Sequence, residues 1–145
     1  MPLIRLIYSS DARETLVYRD FMEIMTKAGE VNASLEITGM LCYGNGKFLQ
    51  ALEGERATVN DLYFRISSDP RHRACQLVQV EDITTRDFAE WGMKIVNWSD
   101  AASASQQATL VAATGSDRFE PDQMTGLQAT NFLRGLAAAE RLLLS

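Results

Sequence analysis

Apolar residues recur along this chain in two rhythms, one of strands and one of helices. Leu3–Tyr8 is a short, nearly continuous apolar run and predicts a first strand. Within residues 16–29, Val17, Phe21, Ile24, Met25 and Ala28 fall at i, i+4, i+7, i+8 and i+11, the spacing of one helix face, with Gly29 as its expected end. Two apolar runs follow, ITGMLCYG (37–44) and KFLQALEG (47–54). Asn45-Gly46 between them is a strong hairpin signal. Val59, Leu62, Tyr63 and Ile66 predict a second helix over 56–68, stopped by Asp69-Pro70. CQLVQVEDI (75–83) and MKIVN (93–97) read as fourth and fifth strands. Beyond Ser99-Asp100, an Ala-rich helical stretch (101–114) is interrupted by GSDRFEPDQ. Residues 125–144 then place Ala129, Phe132, Leu133, Leu136 and Leu143 roughly on one side of a last helix.

The order β-α-β-β-α-β plus one strand predicts an α+β, ferredoxin-like sheet, with the first and third strands as central neighbours and two helices on one face. Strand alternation puts Tyr8 with Ile4 and Leu6, and Gln50 with Phe48 and Leu52. If those sides face the helices, Tyr8 and Gln50 lie across from each other beneath them. Leu49 and Ala51 make the opposite face of the third strand apolar too, so a second cover is expected. The tail helices are the candidate, which divides the chain into a sheet domain (1–98) and a helical cap (99–145). A helical pair serving only as a dimer interface explains the same pattern.

Composition narrows the chemistry. The chain has 145 residues, enough for one domain with a real core, and 46% are hydrophobic. A formal net charge of −5 argues against nucleic acid as the partner, because phosphate binding wants a basic face. No apolar run approaches a membrane span and MPLIRLIYSS is not a signal peptide, so a cytoplasmic protein is expected. Cys42 and Cys75, in apolar surroundings, fit reduced thiols better than a disulfide. With His72 they do not make a zinc site. His72 lacks a nucleophile at a supporting spacing, and there is no phosphate loop, so enzyme readings lack their constellation.

Gln50 is the residue that the apolar pattern does not explain. A primary amide brings two donors and an acceptor, and leaving such a group unpaired in a core costs about 1–3 kcal/mol. Its ordinary explanation is an amide satisfied within the fold, as for Tyr8 it is a core tyrosine bonded to backbone. For Arg65 and Asp69, at i and i+4, it is a helix-surface ion pair. Trp91 and Met93 read most simply as core residues of an edge strand. The alternative is a slot between the two helices, walled by Ile24 and Ile66. Asn32 and Gln50 would supply amides at its inner end, and Arg65, Asp69, His72 and Arg73 would line its outer one. Such a slot suits a flat aromatic ligand carrying carbonyls, a polyol and phosphate.

Together these residues resemble the BLUF family, the sensors of blue light using flavin. The resemblance covers about residues 3–97. It is carried by LIYSS with Tyr8, by N-x-x-x-x-I-T-G-x-L-C-Y from Asn32 to Tyr43, by F-L-Q-x-L-E-G from Phe48 to Gly54, by D-P-R-H at 69–72 and by W-x-M at 91–93. It implies non-covalent FAD, with FMN allowed, held between the helices against Ile24 and Ile66. Asn32 and Arg65 would meet the ring's carbonyl edges, and Asp69, His72 and Arg73 the ribityl and phosphate end. Tyr8 and Gln50 would be the photoactive pair. Light-driven loss of an electron and a proton from Tyr8 would leave Gln50 rearranged, by rotation or tautomerisation, with a reversible red shift. Trp91 and Met93 would relay the change to the tail helices.

The total length resembles that of short members, which have a helical tail instead of a fused output domain. Output through a separate signalling protein is therefore expected, and the apolar tail helices suggest a dimer or larger ring. Two departures stand out, Val31 where many members carry a polar ring contact and Gly92 where Ser is usual. A light-indifferent binding domain and a small α/β enzyme depending on His72 or Arg65 are the competing readings.

Overall fold

The computed structural model describes residues 2–12, 18–70, 72–98 and 103–144, with the side chains of 18–21, 24, 143 and 144 outside the description. Strand β1 (Leu3–Ala12) leads into helix α1 (Tyr18–Ser34), the hairpin β2 (Thr38–Gly44) and β3 (Lys47–Glu55), and helix α2 (Arg56–Ser68). Strands β4 (His72–Ile83) and β5 (Lys94–Asn97) follow, and then α3 (Ala104–Thr114), a 3₁₀ turn (Pro121–Gln123) and α4 (Gly126–Leu144). The sheet order is β4-β1-β3-β2-β5, with β1 and β3 antiparallel and central and β5 added parallel to β2. The ferredoxin-like expectation is met.

Local chemistry explains the hairpin. Asn45 and Gly46 both have positive φ, 52° and 73°, as a two-residue turn of this kind requires. The end of α1 was misread, because the helix runs through Gly29 to Ser34. Its stop is Glu36, at φ 57°, where the chain turns so that the Ile37 N–H donates to the Asn32 carbonyl at 2.9 Å. A left-handed cap filled by Glu rather than Gly or Asn gives no warning in the sequence. Asn32 therefore belongs to the last turns of α1 instead of following the helix. Strand β4 begins three residues earlier than expected, at His72. It pairs with β1 through two register shifts, one of them at Ala74 with φ 51°.

The face assignment holds. Ile4, Leu6, Tyr8, Leu52 and Val59 form one cluster with Leu62, Tyr63 and Ile66 of α2, while Leu41 and Phe48 pack with Met22 and Met25 of α1. On the other side Ile7, Met40, Cys42, Leu49, Ala51 and Val96 join Leu110, Phe119, Ala129, Phe132, Leu133, Leu136 and Ala137. The tail thus packs on the second face of its own sheet, at about 1.5–3 kcal/mol for each large side chain buried. Val17, Phe21, Ile24 and Leu143, together with the Ser99-Asp100 junction and residues 101–102, lie outside the described residues or side chains.

Candidate functional site

Residues Tyr8 and Gln50 are direct cross-strand partners in the β1–β3 register, and both are buried. The Tyr8 hydroxyl donates to Gln50 Oε1 in a short hydrogen bond. Burial, with Cys75 and Tyr63 beside it, holds the Tyr8 phenol well above its usual pKa, so it stays protonated and able to donate. The other end of the Gln50 amide is less well served. Among the described residues Nε2 reaches only the Met93 thioether, at 3.3 Å, a weak acceptor.

Over this pair opens a cleft of about 360 Å³ between α1 and α2. Tyr8, Phe48 and Gln50 form its floor. Met25, Ala28, Val31 and Asn32 line it from α1, and Leu62, Arg65, Ile66 and Asp69 from α2 and its end. His72 closes one side. Its ring lies 5.0 Å from that of Phe48 and 6.2 Å from that of Tyr8, with Nδ1 2.8 Å from the Ser10 hydroxyl. Asn32 is buried, and its amide makes only a long contact, 3.4 Å, to the Gly92 carbonyl. Among the described residues Arg65 has no carboxylate partner, so the helix-surface ion pair with Asp69 is not formed.

Most candidates therefore converge: Tyr8, Gln50, Asn32, Arg65, Ile66, Asp69 and His72 share one cleft. Arg73 does not line it. The shift at Ala74 places Arg73 opposite Asp11, exposed at the start of β4. The Ile24 side chain is outside the description. Trp91, Gly92 and Met93 precede β5 in an irregular segment, which corrects the assignment of Trp91 and Met93 to an edge strand. Met93 points to the cleft side and Trp91 to the tail side, packing against the opposite clusters. Gly92 lies so near α1 that a Cβ there would meet the Gly29 carbonyl at 2.8 Å, and Gly29 itself rests against Met93. Two glycines thus let the 91–93 segment approach the helix beside Gln50. Gly92 thus stands in close contact outside any strand.

Beneath the site lies a charge network that the apolar pattern concealed. Arg5, 1% exposed, sits between its two cross-strand neighbours Glu53 and Glu81, with Nε 3.0 Å from Glu53 and Nη1 2.8 Å from Glu81. Glu53 is fully buried. It also accepts from Thr38 Oγ1 and from the backbone N–H groups of Asp87 and Phe88, at 3.1, 2.9 and 3.0 Å. The acid of the F-L-Q-x-L-E-G run is thus the anchor of the loop leading to Trp91. A charge in the middle of each of two apolar strands was the signal that could have revealed it.

Fold and cleft together define an α+β domain with a small-molecule-sized cleft whose floor carries a buried, weakly satisfied amide. The comparisons with known proteins make the class specific. The family model described as "Sensors of blue-light using FAD" matches residues 3–94, and the chain belongs to that family. FAD is its cofactor, and its members sense blue light through it. The photoactivated adenylate cyclase subunit beta of Euglena longa is 41% identical over 90 residues, which are 61% of this chain and 10% of that protein. The blue light- and temperature-regulated antirepressor BluF of Escherichia coli (strain K12) is 30% identical over 93 residues, 64% of this chain and 23% of that one. The chain spans about a tenth to a quarter of these relatives' lengths. Among solved structures, the dark state of BlrB, a BLUF protein, superposes with TM-score 0.76 at 30% identity, covering 95% of this chain and 97% of that one. The photo-activated state of BlsA does so at 0.81 and 28%, covering 93% and 94%.

The residues fit the cofactor. The cleft has the size of a small-molecule site, with apolar walls, a guanidinium without a carboxylate partner among the described residues, and two buried amides whose contacts are weak or long. A flavin edge offers the carbonyl and ring-nitrogen acceptors those amides lack.

Proposed function

We propose that the chain senses blue light through Tyr8 and Gln50 and passes the change through its C-terminal helices to a separate partner protein. The observation carrying this is the chain of contacts Tyr8 hydroxyl to Gln50 Oε1, and Gln50 Nε2 to the Met93 thioether, on the cleft floor. Asn32 and Arg65 would hold the flavin's carbonyl edges, Ile66 with Ile24 its faces, and Asp69 and His72 its ribityl and phosphate end. Arg73, outside the cleft, would contribute only charge.

When bound, the flavin supplies an excited state oxidising enough to draw an electron from a phenol. Tyr8 gives up that electron, and its hydroxyl proton leaves along the hydrogen bond to Gln50 Oε1. Both would return to Tyr8, so no bond in the flavin is permanently changed. Gln50 is left in its second arrangement, rotated or tautomerised, donating where it had accepted. Two amide arrangements a few kcal/mol apart suffice for a switch. Met93 loses or changes its contact with Nε2, and the 91–94 segment is free to respond. The role is sensory and not catalytic, residues 1–98 forming the light-sensing unit and 99–145 the output segment.

The test is the absorption spectrum of purified, FAD-loaded protein in darkness and after blue light. A reversible red shift is expected, and Gln50→Leu should keep the yellow colour but lose the shift. A Gln50→Leu variant that photocycles normally would overturn the mechanism.

A further inference from the structure

Helix α4 is held in two ways along its length. Ala129, Phe132, Leu133, Leu136 and Ala137 are buried in the core under the sheet, but from Ala138 to Leu142 no residue is buried. That end is gripped by charge. Glu140 pairs with Lys94 at 3.2 Å, and Arg141 Nε with Glu90 at 3.1 Å. Arg141 also donates to the Asp87 carbonyl, and its guanidinium lies over the Trp91 ring, 5.5 Å from the centroid. Each of these partners falls between Asp87 and Lys94, the segment that carries Met93 to Gln50.

Taking the proposed photochemistry as its basis, we infer that Arg141, with Glu140, is the positioning residue through which α4 reads the Trp91–Lys94 segment. The last turns of α4 are thus a clasp, closed in darkness and released in light. The physical reason is the contrast in anchoring. Exposed ion pairs are individually weak and depend on geometry, whereas a planar guanidinium on an indole and a carbonyl tolerates little displacement. A shift of Met93 and Trp91 by even a fraction of a residue breaks several contacts at once. The core half of the helix, fixed by packed side chains, stays in place. The surface exposed by release, around Trp91 and the inner side of 138–142, is then available only after illumination.

Hydrogen exchange of the full-length, FAD-loaded protein in darkness and under steady blue light tests this, with the absorption shift recorded on the same samples. Wild type should exchange faster in light in peptides covering 138–144 and 88–94, with 129–137 unchanged. Arg141→Ala should keep the red shift but show the lit exchange level already in darkness, so its light-minus-dark difference vanishes. Glu90→Gln, which leaves the helix sequence intact, should move part of the way. Arg141→Lys should restore the Glu90 pair but only part of the difference. A normal red shift with no exchange change at 138–144 overturns the inference while leaving the photochemistry standing, as does an Arg141→Ala protein that responds like wild type. Loss of the red shift in wild type overturns the underlying photochemistry instead.

Discussion

Tyr8 and Gln50 are structural groups of the sheet that the proposed photochemistry also uses. Tyr8 is fully buried, packs 5.4 Å from Tyr63 between ring centroids, and still presents its hydroxyl to the one amide on the neighbouring strand. Burial keeps its proton on, as the proposed role of Tyr8 in giving up an electron and a proton requires. The same burial carries a cost at high pH. The unfolded chain releases the phenol proton near pH 10.0 and the folded chain holds it well beyond, with the buried Cys42 thiol likewise raised above 9.0. Above those values the unfolded state binds fewer protons than the folded one, so stability is intact below them and falls as pH rises. Urea midpoints taken at about pH 8 and about pH 11 should show this loss, and Tyr8→Phe should show less of it.

Between elements, the Arg5 network does what apolar packing cannot. It ties β1, β3 and β4 to the 86–88 loop, and Asp87 extends it to Arg134 on α4. Arg86 adds a bond to Thr38 at 3.0 Å. Burying these charges is tolerable because each has several partners. Glu53→Ala should therefore cost about 3–5 kcal/mol, since Arg5 would be left buried beside fewer carboxylates. Replacing Arg5 and Glu53 together by Met and Leu should cost less than the sum of the single changes. Chemical denaturation of wild type, Glu53→Ala, Arg5→Met, Glu53→Leu and the double variant checks both, and additive effects would mean that the two groups are independent. The backbone of 87–88 should also loosen in the single variant, blurring the link between the loop and α4.

For the molecule as a whole, the tail is part of the core. Ile7, Leu49 and Ala51 on the sheet meet Phe132, Leu133 and Leu136 of α4, and Trp98 lies among Phe119 and Phe132 at 5.9 and 5.7 Å between centroids. Trp98 is thus a packing residue, while Trp91 stands beside the last turns of α4, under the Arg141 guanidinium. A chain cut after residue 98 would expose an entire apolar sheet face. It should aggregate or bind a hydrophobic dye strongly, in contrast to the full chain, as light scattering and dye fluorescence would report. A soluble, monomeric 1–98 fragment with an unchanged photocycle would show the tail to be dispensable for folding.

How much of this could be read in advance depended on the range of the interaction. Strand alternation placed Tyr8 opposite Gln50 because side chains on a pleated strand have a period of two. The Asn-Gly turn and the Asp-Pro stop are likewise dictated by local backbone chemistry, and both stand where expected. Contacts between distant segments were not legible. The helix passes Gly29, against which Gly92, 63 residues later, packs; Glu53 is satisfied by loop amides; Arg65 does not pair with Asp69 despite ideal helical spacing. Those outcomes are set by which surfaces meet and how closely, and a local pattern holds no record of its distant neighbours.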